Sequence, residues 1–198
     1  MSLVVTVSAS PVAASRTQLL TAAVGASIAA RGIEVQAVNV RDLPAEDLLW
    51  ARGDAPGLRR AVDLIARADG VVVATPVYKA AYTGVLKTFL DLLPQFGLQG
   101  KAVLPLATGG TLAHVLAIDY SLRPVLMALG AQHVVGGLFI LDKLLERQAD
   151  GGLRIDREVK PRLDEVVGAF VASVRAGIAD RARAAAAAAD HAAPVPPS

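Results

Sequence analysis

GVVVATPVYKAAYTG, at residues 70–84, carries the strongest structural signal in the chain. It begins with a continuous apolar run, Gly70 to Ala74, of the kind that forms a strand buried on both faces of a sheet. Pro76 ends the run, because proline has no N–H and moves the preceding residue away from helical geometry. Two tyrosines and a lysine follow before a helix begins at Thr83. We therefore expect a central strand whose carboxyl end carries a flat, amphipathic ledge suited to a flat heteroaromatic ligand.

Strand-like and helix-like segments alternate through the rest of the chain. The predicted strands are 3–8, 33–40, 70–74, 102–107 and 133–141, and the predicted helices are 17–31, 54–68, 83–93, 111–129 and 157–183. Strands joined by helical crossovers form a parallel sheet with helices on both faces. The second strand alternates apolar and polar residues, as edge strands do. The pattern predicts an α/β, flavodoxin-like, doubly wound sheet of five parallel strands in the order 2-1-3-4-5, with a ligand crevice at their carboxyl ends.

Length and composition indicate one domain, since 198 residues with 54% hydrophobic content suffice for a single core. We assign residues 1–180 to this domain and expect the Ala- and Pro-rich tail, 181–198, to be frayed or disordered. The apolar stretches are too short to span a bilayer, and no basic region precedes the first one, so we expect a cytoplasmic protein without a signal peptide or membrane contact. A net charge of +2 gives no reason to expect nucleic acid.

The chain has no cysteine, and its three histidines lie far apart without ligand spacing. Thiolate nucleophiles, disulfides and cysteine-ligated metals are therefore excluded, and we expect no catalytic metal. No dyad or triad is present either, so we assign no catalytic residue.

The loop after the first strand is rich in hydroxyl groups. Residues 8–17 read SASPVAASRT, with Arg16 next to the start of a helix. Hydroxyls, a guanidinium and the free N–H groups of a helix start together favour an anion. Ordinary helix capping by Ser15 or Thr17 is the simpler interpretation, and the two are compatible. The loop matches neither a Walker A motif nor GxGxxG, which favours a monophosphate over a dinucleotide.

The loop after the fourth strand contains paired glycines, in Thr108-Gly109-Gly110-Thr111. Glycine lets a ligand ring approach the backbone, although a plain turn into a helix is the simpler alternative. The fold places this loop opposite the ledge. The three loops together predict the mononucleotide pocket of a flavin.

Several segments resemble the NAD(P)H-dependent FMN reductases. They are ATPVYKAAY at 74–82, LKTFLDLLP at 86–94, PLATGGT at 105–111, EDLLWAR at 46–52 and AHVLAIDYSLRPVL at 113–126. The similarity covers roughly residues 3 to 140. Within the family, the chain is most similar to the reductase component of two-component alkanesulfonate monooxygenase systems.

The resemblance implies cofactor contacts only where residues match. The resemblance implies that the FMN phosphate is held by Ser10, Ser15, Arg16 and Thr17. It implies that one side of the isoalloxazine is supported by Pro76, Val77 and Tyr78. The other edge of the ring would contact Thr108, Gly109, Gly110 and Thr111. Lys79 either reaches a phosphate of NADPH or NADH, or is simply solvated.

Two local features bear on how flavin is used. The family often has Gly-Ser-x-Arg where this chain has Ala9-Ser10-Pro11-Val12, so an arginine near the phosphates is missing. Because this cation is missing, we expect a lower affinity for flavin or a smaller preference for NADPH over NADH. Tyr120 matches a tyrosine that accompanies a π-bulge at the subunit interface of relatives that use flavin as a transient substrate.

The implied function is hydride transfer from NADPH or NADH to FMN, with reduced flavin supplied to a flavin-dependent monooxygenase that desulfonates organosulfonates for sulfur acquisition. The resemblance also implies a homodimer or homotetramer. One alternative is a flavoenzyme that retains FMN and reduces quinones, azo compounds or metal oxyanions. A flavodoxin-like electron carrier ranks last, because such carriers are acidic and hold flavin between aromatic rings, whereas this chain is slightly basic with 4% aromatic residues.

Overall fold

A computed structural model describes residues 2–191, which form a sheet with helices on both faces. The strands are β1 (Leu3–Ser8), β2 (Glu34–Asn39), β3 (Gly70–Tyr78), β4 (Ala81–Tyr82), β5 (Ala102–Gly109), β6 (His133–Val134), β7 (Leu138–Leu141), β8 (Leu145–Arg147) and β9 (Leu153–Ile155). The helices are α1 (Arg16–Ala29), α2 (Ala45–Leu49), α3 (Pro56–Arg67), α4 (Gly84–Leu90), α5 (Arg123–Ala128) and α6 (Lys160–His191). Short 3₁₀ turns and a π-helix complete the secondary structure.

The sheet has β2 at one edge, followed by β1, β3 and β5, and β6 and β7 share the last position. These strands all run parallel. Because β5 is the fourth predicted strand and β6 with β7 the fifth, the flavodoxin-like order 2-1-3-4-5 is confirmed.

Successive residues of the central strands enter two separate cores. Val71 and Val73 of β3 pack into the core formed with α3, α4 and α5. Val72 points to the opposite side, where Phe170 of α6 and residues of α1 complete the second core. This two-sided burial explains the unbroken apolar run, because neither face of β3 meets water over residues 70–75.

The predicted ledge is part of the sheet rather than a loop. Strand β3 continues through Pro76, which pairs with Thr108 of β5, and then turns back into β4. Lys79 and Ala80 form the turn with φ of 51° and 66°, both in the left-handed region. Two such residues are the signature of a type I′ hairpin turn, which glycine or asparagine usually occupies.

The fifth predicted strand, 133–141, is broken in two. Val103 pairs with Val134 and Leu106 with Leu138, so the outer strand carries one extra residue between these pairs. Pro105 lies opposite this bulge and has no N–H that could donate a hydrogen bond to the outer strand. The interruption follows from that missing donor.

The predicted helix 111–129 is instead three short pieces. A 3₁₀ turn covers Leu112–His114, a π-helix covers Ile118–Leu122, and α5 follows. The π-helix contains Tyr120 and confirms the local feature expected from the resemblance.

The carboxyl-terminal part differs from the prediction at two points. The polar excursion after residue 142 contains the hairpin β8–β9. Helix α6 runs to His191 rather than ending at Arg183, so the first part of the predicted tail is helical, consistent with the high helix propensity of its alanines. The predicted disorder of 192–198 lies outside the described residues. None of the helices within 2–191 is long and apolar enough to cross a membrane.

Candidate functional site

The loops after β1, β3 and β5 meet at the carboxyl edge of the sheet. The main-chain N–H of Ala9 donates to the carbonyl of Ala74 at 2.9 Å, which joins the first loop to β3. Pro76 lies beside Thr108 in the sheet, which joins β3 to the glycine turn. The sequence-predicted residues of all three loops are thus brought to one region.

The first loop is shaped by bonds from its own hydroxyl groups. Ser15 caps α1 by accepting from the N–H of Gln18 at 3.1 Å, as the capping interpretation predicted. Ser10 is buried, and its Oγ accepts from the N–H of Val12 at 3.3 Å. The N–H groups of Arg16 and Thr17 lie in the first helical turn, where no carbonyl of the helix itself can bond to them. This arrangement suits an anion.

Arg16 is held by a distant part of the chain. Its Nε donates to the carbonyl of Leu145 in β8 at 2.9 Å, while the residue itself is exposed. The bond fixes the plane of the guanidinium at the edge of the first loop. This contact could not be predicted from the sequence, because it joins residues far apart through a main-chain atom.

Thr17 and Thr108 contact each other. Both are 2% exposed, and their Oγ1 atoms lie 2.7 Å apart. We expected these hydroxyls to face a ligand, but the structure places them inside the protein, where they join α1 to β5. The two hydroxyls therefore bond to each other, while the N–H of Thr17 stays at the start of α1, and contact of either residue with a ligand remains a prediction.

The ledge exposes one tyrosine beside a half-buried apolar pair. Pro76 and Val77 are half-buried, and Tyr78 is 48% exposed at the end of β3. Lys79 is exposed in the hairpin turn. The twelve predicted contacts include two cations, Arg16 and Lys79, and no carboxylate, so their charge complements a phosphate-bearing ligand.

The paired glycines have different roles. A Cβ on Gly109 would lie 2.8 Å from Cζ of Phe139, so packing against that ring accounts for this glycine. Gly110 is exposed, and a Cβ there would meet nothing within 4 Å. Packing alone therefore accounts for Gly109, and contact of either glycine with a ligand remains a prediction. Thr111 is exposed, and its hydroxyl accepts from the N–H of Ala113 at 3.3 Å.

Sequence reasoning missed a buried hydroxyl pair beneath the ledge. Thr83 Oγ1 donates to the carbonyl of Ala9 at 2.8 Å, and the N–H of Thr83 donates to Thr75 Oγ1 at 3.1 Å. Thr75 Oγ1 in turn donates to the carbonyl of Pro76 at 2.9 Å. Threonine directly before a helix start was visible in the sequence, but its bond to the first loop was not.

The chain is similar to several known proteins. The model of the NADPH-dependent FMN reductase family matches residues 2–146. An FMN reductase (NADPH) of Pseudomonas putida is 51% identical over 140 residues, which is 71% of this chain and 71% of that protein. An FMN reductase (NADPH) of Escherichia coli is 51% identical over 139 residues, 70% of this chain and 73% of that protein. Among solved structures, the apo form of the NADH:FMN oxidoreductase EMOB superposes with a TM-score of 0.80 and 42% identity, covering 87% of this chain and 90% of that one.

Proposed function

The chain belongs to the NADPH-dependent FMN reductase family, and we propose that the three loops at the carboxyl edge of its sheet form the flavin site. The protein is an NAD(P)H:FMN oxidoreductase, with FMN and NADPH or NADH as its cofactors. One observation carries the assignment of the site: the ledge lies beside the glycine turn in the sheet, and both are joined to the hydroxyl-rich first loop.

Each loop has its own part in the proposed site. Ser10, Ser15 and Arg16, with the N–H groups that begin α1, hold the phosphate. Pro76 and Tyr78, which share a face of β3, support the flat ring together with the main chain of Val77, and Gly110 with Thr111 borders its other edge. Thr17, Thr108 and Gly109 support these groups from within the protein. Lys79, exposed in the hairpin turn, attracts a phosphate of the pyridine nucleotide in this proposal.

The residues present fit a reaction in which the cofactors supply the chemistry. Bound together, NAD(P)H and FMN provide hydride transfer from nicotinamide to flavin, which requires no protein acid or base. The chain contributes orientation and a cationic surround. This division of work agrees with a set of site residues that contains hydroxyls, glycines and cations.

We further propose that FMN is a transient substrate and that the reduced flavin passes to a flavin-dependent monooxygenase that desulfonates organosulfonates. The π-helix Ile118–Leu122 and the open ledge support release of flavin. Large exposed apolar side chains in and around the π-helix support a homodimer or homotetramer. They are Leu112, Val115, Leu116, Tyr120 and Met127, of which Tyr120 is 80% exposed. We place this activity in the cytoplasm, where NAD(P)H is available.

Steady-state oxidation of NAD(P)H with and without added FMN tests the proposal. We expect turnover that rises and saturates with added FMN. Full turnover with a quinone by a yellow protein that needs no added FMN would replace the proposal with the flavin-retaining alternative. An absence of NAD(P)H oxidation under both conditions would refute both functions.

Tyr78 provides a test of the site itself. Tyr78→Ala removes the exposed ring of the ledge and should weaken FMN binding about tenfold, whereas Tyr78→Phe should bind nearly as well as the wild type, since stacking needs the ring and not the hydroxyl. Fluorescence titration of FMN measures both. Equal affinity of Tyr78→Ala and the wild type would remove this residue from the site.

A further inference from the structure

A second concave surface lies next to the proposed flavin site. It is a groove of about 390 Å³ between α2 and α4, and we call it the α2–α4 groove. Its walls are mainly apolar and include Val40, Leu43, Ala45, Leu48 and Val85. A volume of this size is near the lower end of small-molecule sites, which suits a nucleoside better than a whole dinucleotide.

The groove shares two walls with the flavin site. Pro11, in its lining, directly follows Ser10 in the first loop. Val85 and Thr88 belong to α4, which begins immediately after the hairpin. The bond from Thr83 to the carbonyl of Ala9 joins these two walls, so the first loop and the start of α4 form a boundary common to the flavin site and the groove.

A cation stands at this boundary. Arg41 lines the groove, and its Nε donates to the carbonyl of Pro11 at 3.2 Å. One terminal nitrogen lies 3.4 Å from the Asp42 carboxylate, and both side chains are partly exposed. The guanidinium is thus held against the first loop at the mouth of an apolar groove. A planar cation in this position suits a phosphate that leads into the groove.

We propose that the α2–α4 groove binds the adenosine half of NAD(P)H, with Arg41 facing the pyrophosphate. The inference rests on the proposed flavin site, since the nicotinamide must reach the ring on the ledge. A pyridine dinucleotide has two aromatic ends joined by an anionic linker. The ledge, the Arg41 guanidinium and the apolar groove offer surfaces of matching chemistry.

A matched pair of variants tests the groove. Ala45→Trp places an indole in the groove from the exposed start of α2, and Glu46→Trp places the same ring on the next residue, which is exposed and is not part of the lining. We expect Ala45→Trp to raise the KM for NADPH and NADH at least about tenfold, because a desolvated aromatic contact is typically worth that much. Its KM for FMN should not change, and Glu46→Trp should behave as the wild type.

Two further ligands separate the halves of the dinucleotide. Reduced nicotinamide mononucleotide lacks the adenosine, so its KM should be the same for Ala45→Trp and the wild type. ADP-ribose lacks the nicotinamide, and calorimetry should show that it binds the wild type and Glu46→Trp but binds Ala45→Trp at least about tenfold more weakly. Arg41→Ala leaves the groove open and should also weaken the binding of ADP-ribose. The test therefore remains possible if Ala45→Trp does not fold.

Three results would overturn the proposal. The first is unchanged ADP-ribose affinity in both Ala45→Trp and Arg41→Ala. The second is a rise in KM for reduced nicotinamide mononucleotide as large as that for NADPH. The third is a change of molecular mass in Ala45→Trp without a change in KM, which would identify the groove as a contact between copies of the chain. Failure of the proposed function looks different, because the wild type would then oxidise no NAD(P)H.

Discussion

Thr83→Val tests whether the buried tie beneath the ledge sets the geometry of the site. Thr83 is 3% exposed, and valine keeps its shape but not its hydroxyl. The change removes the donor to the Ala9 carbonyl at 2.8 Å and the capping acceptor for the Leu86 N–H at 3.3 Å. Loss of a threonine cap costs about 1 kcal/mol, and a buried carbonyl left without its donor costs about 1–3 kcal/mol. Together these terms predict that the free energy of unfolding falls by about 2–4 kcal/mol.

Urea unfolding measures this loss, and FMN titration under folded conditions measures its effect on the site. Because the bond from Thr83 to Ala9 joins the first loop to the base of the ledge, Thr83→Val should also lower the affinity for FMN several-fold. Thr83→Ser keeps both hydrogen bonds and should restore the affinity and most of the stability. A valine variant as stable as the wild type would refute the reasoning, as would a serine variant that loses as much FMN affinity as valine.

Three other perturbations address the phosphate loop, the glycine turn and a buried lysine. Arg16→Lys keeps the charge but loses the Nε bond to Leu145, so FMN affinity should fall several-fold while affinity for riboflavin, which has no phosphate, should not change; equal losses for both flavins would contradict the assignment. Gly109→Ala should lower stability by about 1–3 kcal/mol through overpacking, whereas Gly110→Ala should leave stability intact and weaken FMN; unfolding curves and FMN titrations distinguish the two. Burial, reinforced by the nearby Arg181, lowers the pKa of Lys101 from its ordinary value of 10.5. Just below pH 10.5 the unfolded chain therefore binds more protons than the folded chain, and the free energy of unfolding should rise with pH there. Lys101→Met should lack that rise in urea titrations, and an identical pH slope in both proteins would show that another group is responsible.

The central strands were predictable because burial on both faces leaves a simple apolar run, as at Val71–Ala74. The segment 111–129 was not, since a hydrophobic pattern does not separate α-helical, 3₁₀ and π geometry. Its π-helix was expected only from the resemblance. The break between β6 and β7 depends on Pro105 in the neighbouring strand β5. The local sequence of residues 133–141 does not show which residues of another strand will lie opposite them.

The candidate site was predictable as a set of loops but less so residue by residue. The fold alone brings the ends of β1, β3 and β5 together. The partner of a hydroxyl depends on neighbouring elements, so the bond between Thr17 and Thr108 could not be predicted from the sequence. The packing role of Gly109 was not predictable for a similar reason, because the Phe139 ring that a Cβ there would meet comes from β7.

The hairpin β3–β4 also sets the limits on how this part of the chain can change in length. Val77 pairs with Tyr82, and Tyr78 pairs with Ala81. Residues paired across an antiparallel ladder share a face and neighbours along a strand do not, so the two tyrosines point to opposite sides: Tyr82 packs against the core, and Tyr78 remains at the surface. An insertion or deletion of one residue in β3 would exchange these faces, so the exposed ring of Tyr78 would turn towards the core and the partly buried ring of Tyr82 would lose its packing. Natural variants of this hairpin should therefore differ in sequence far more readily than in length.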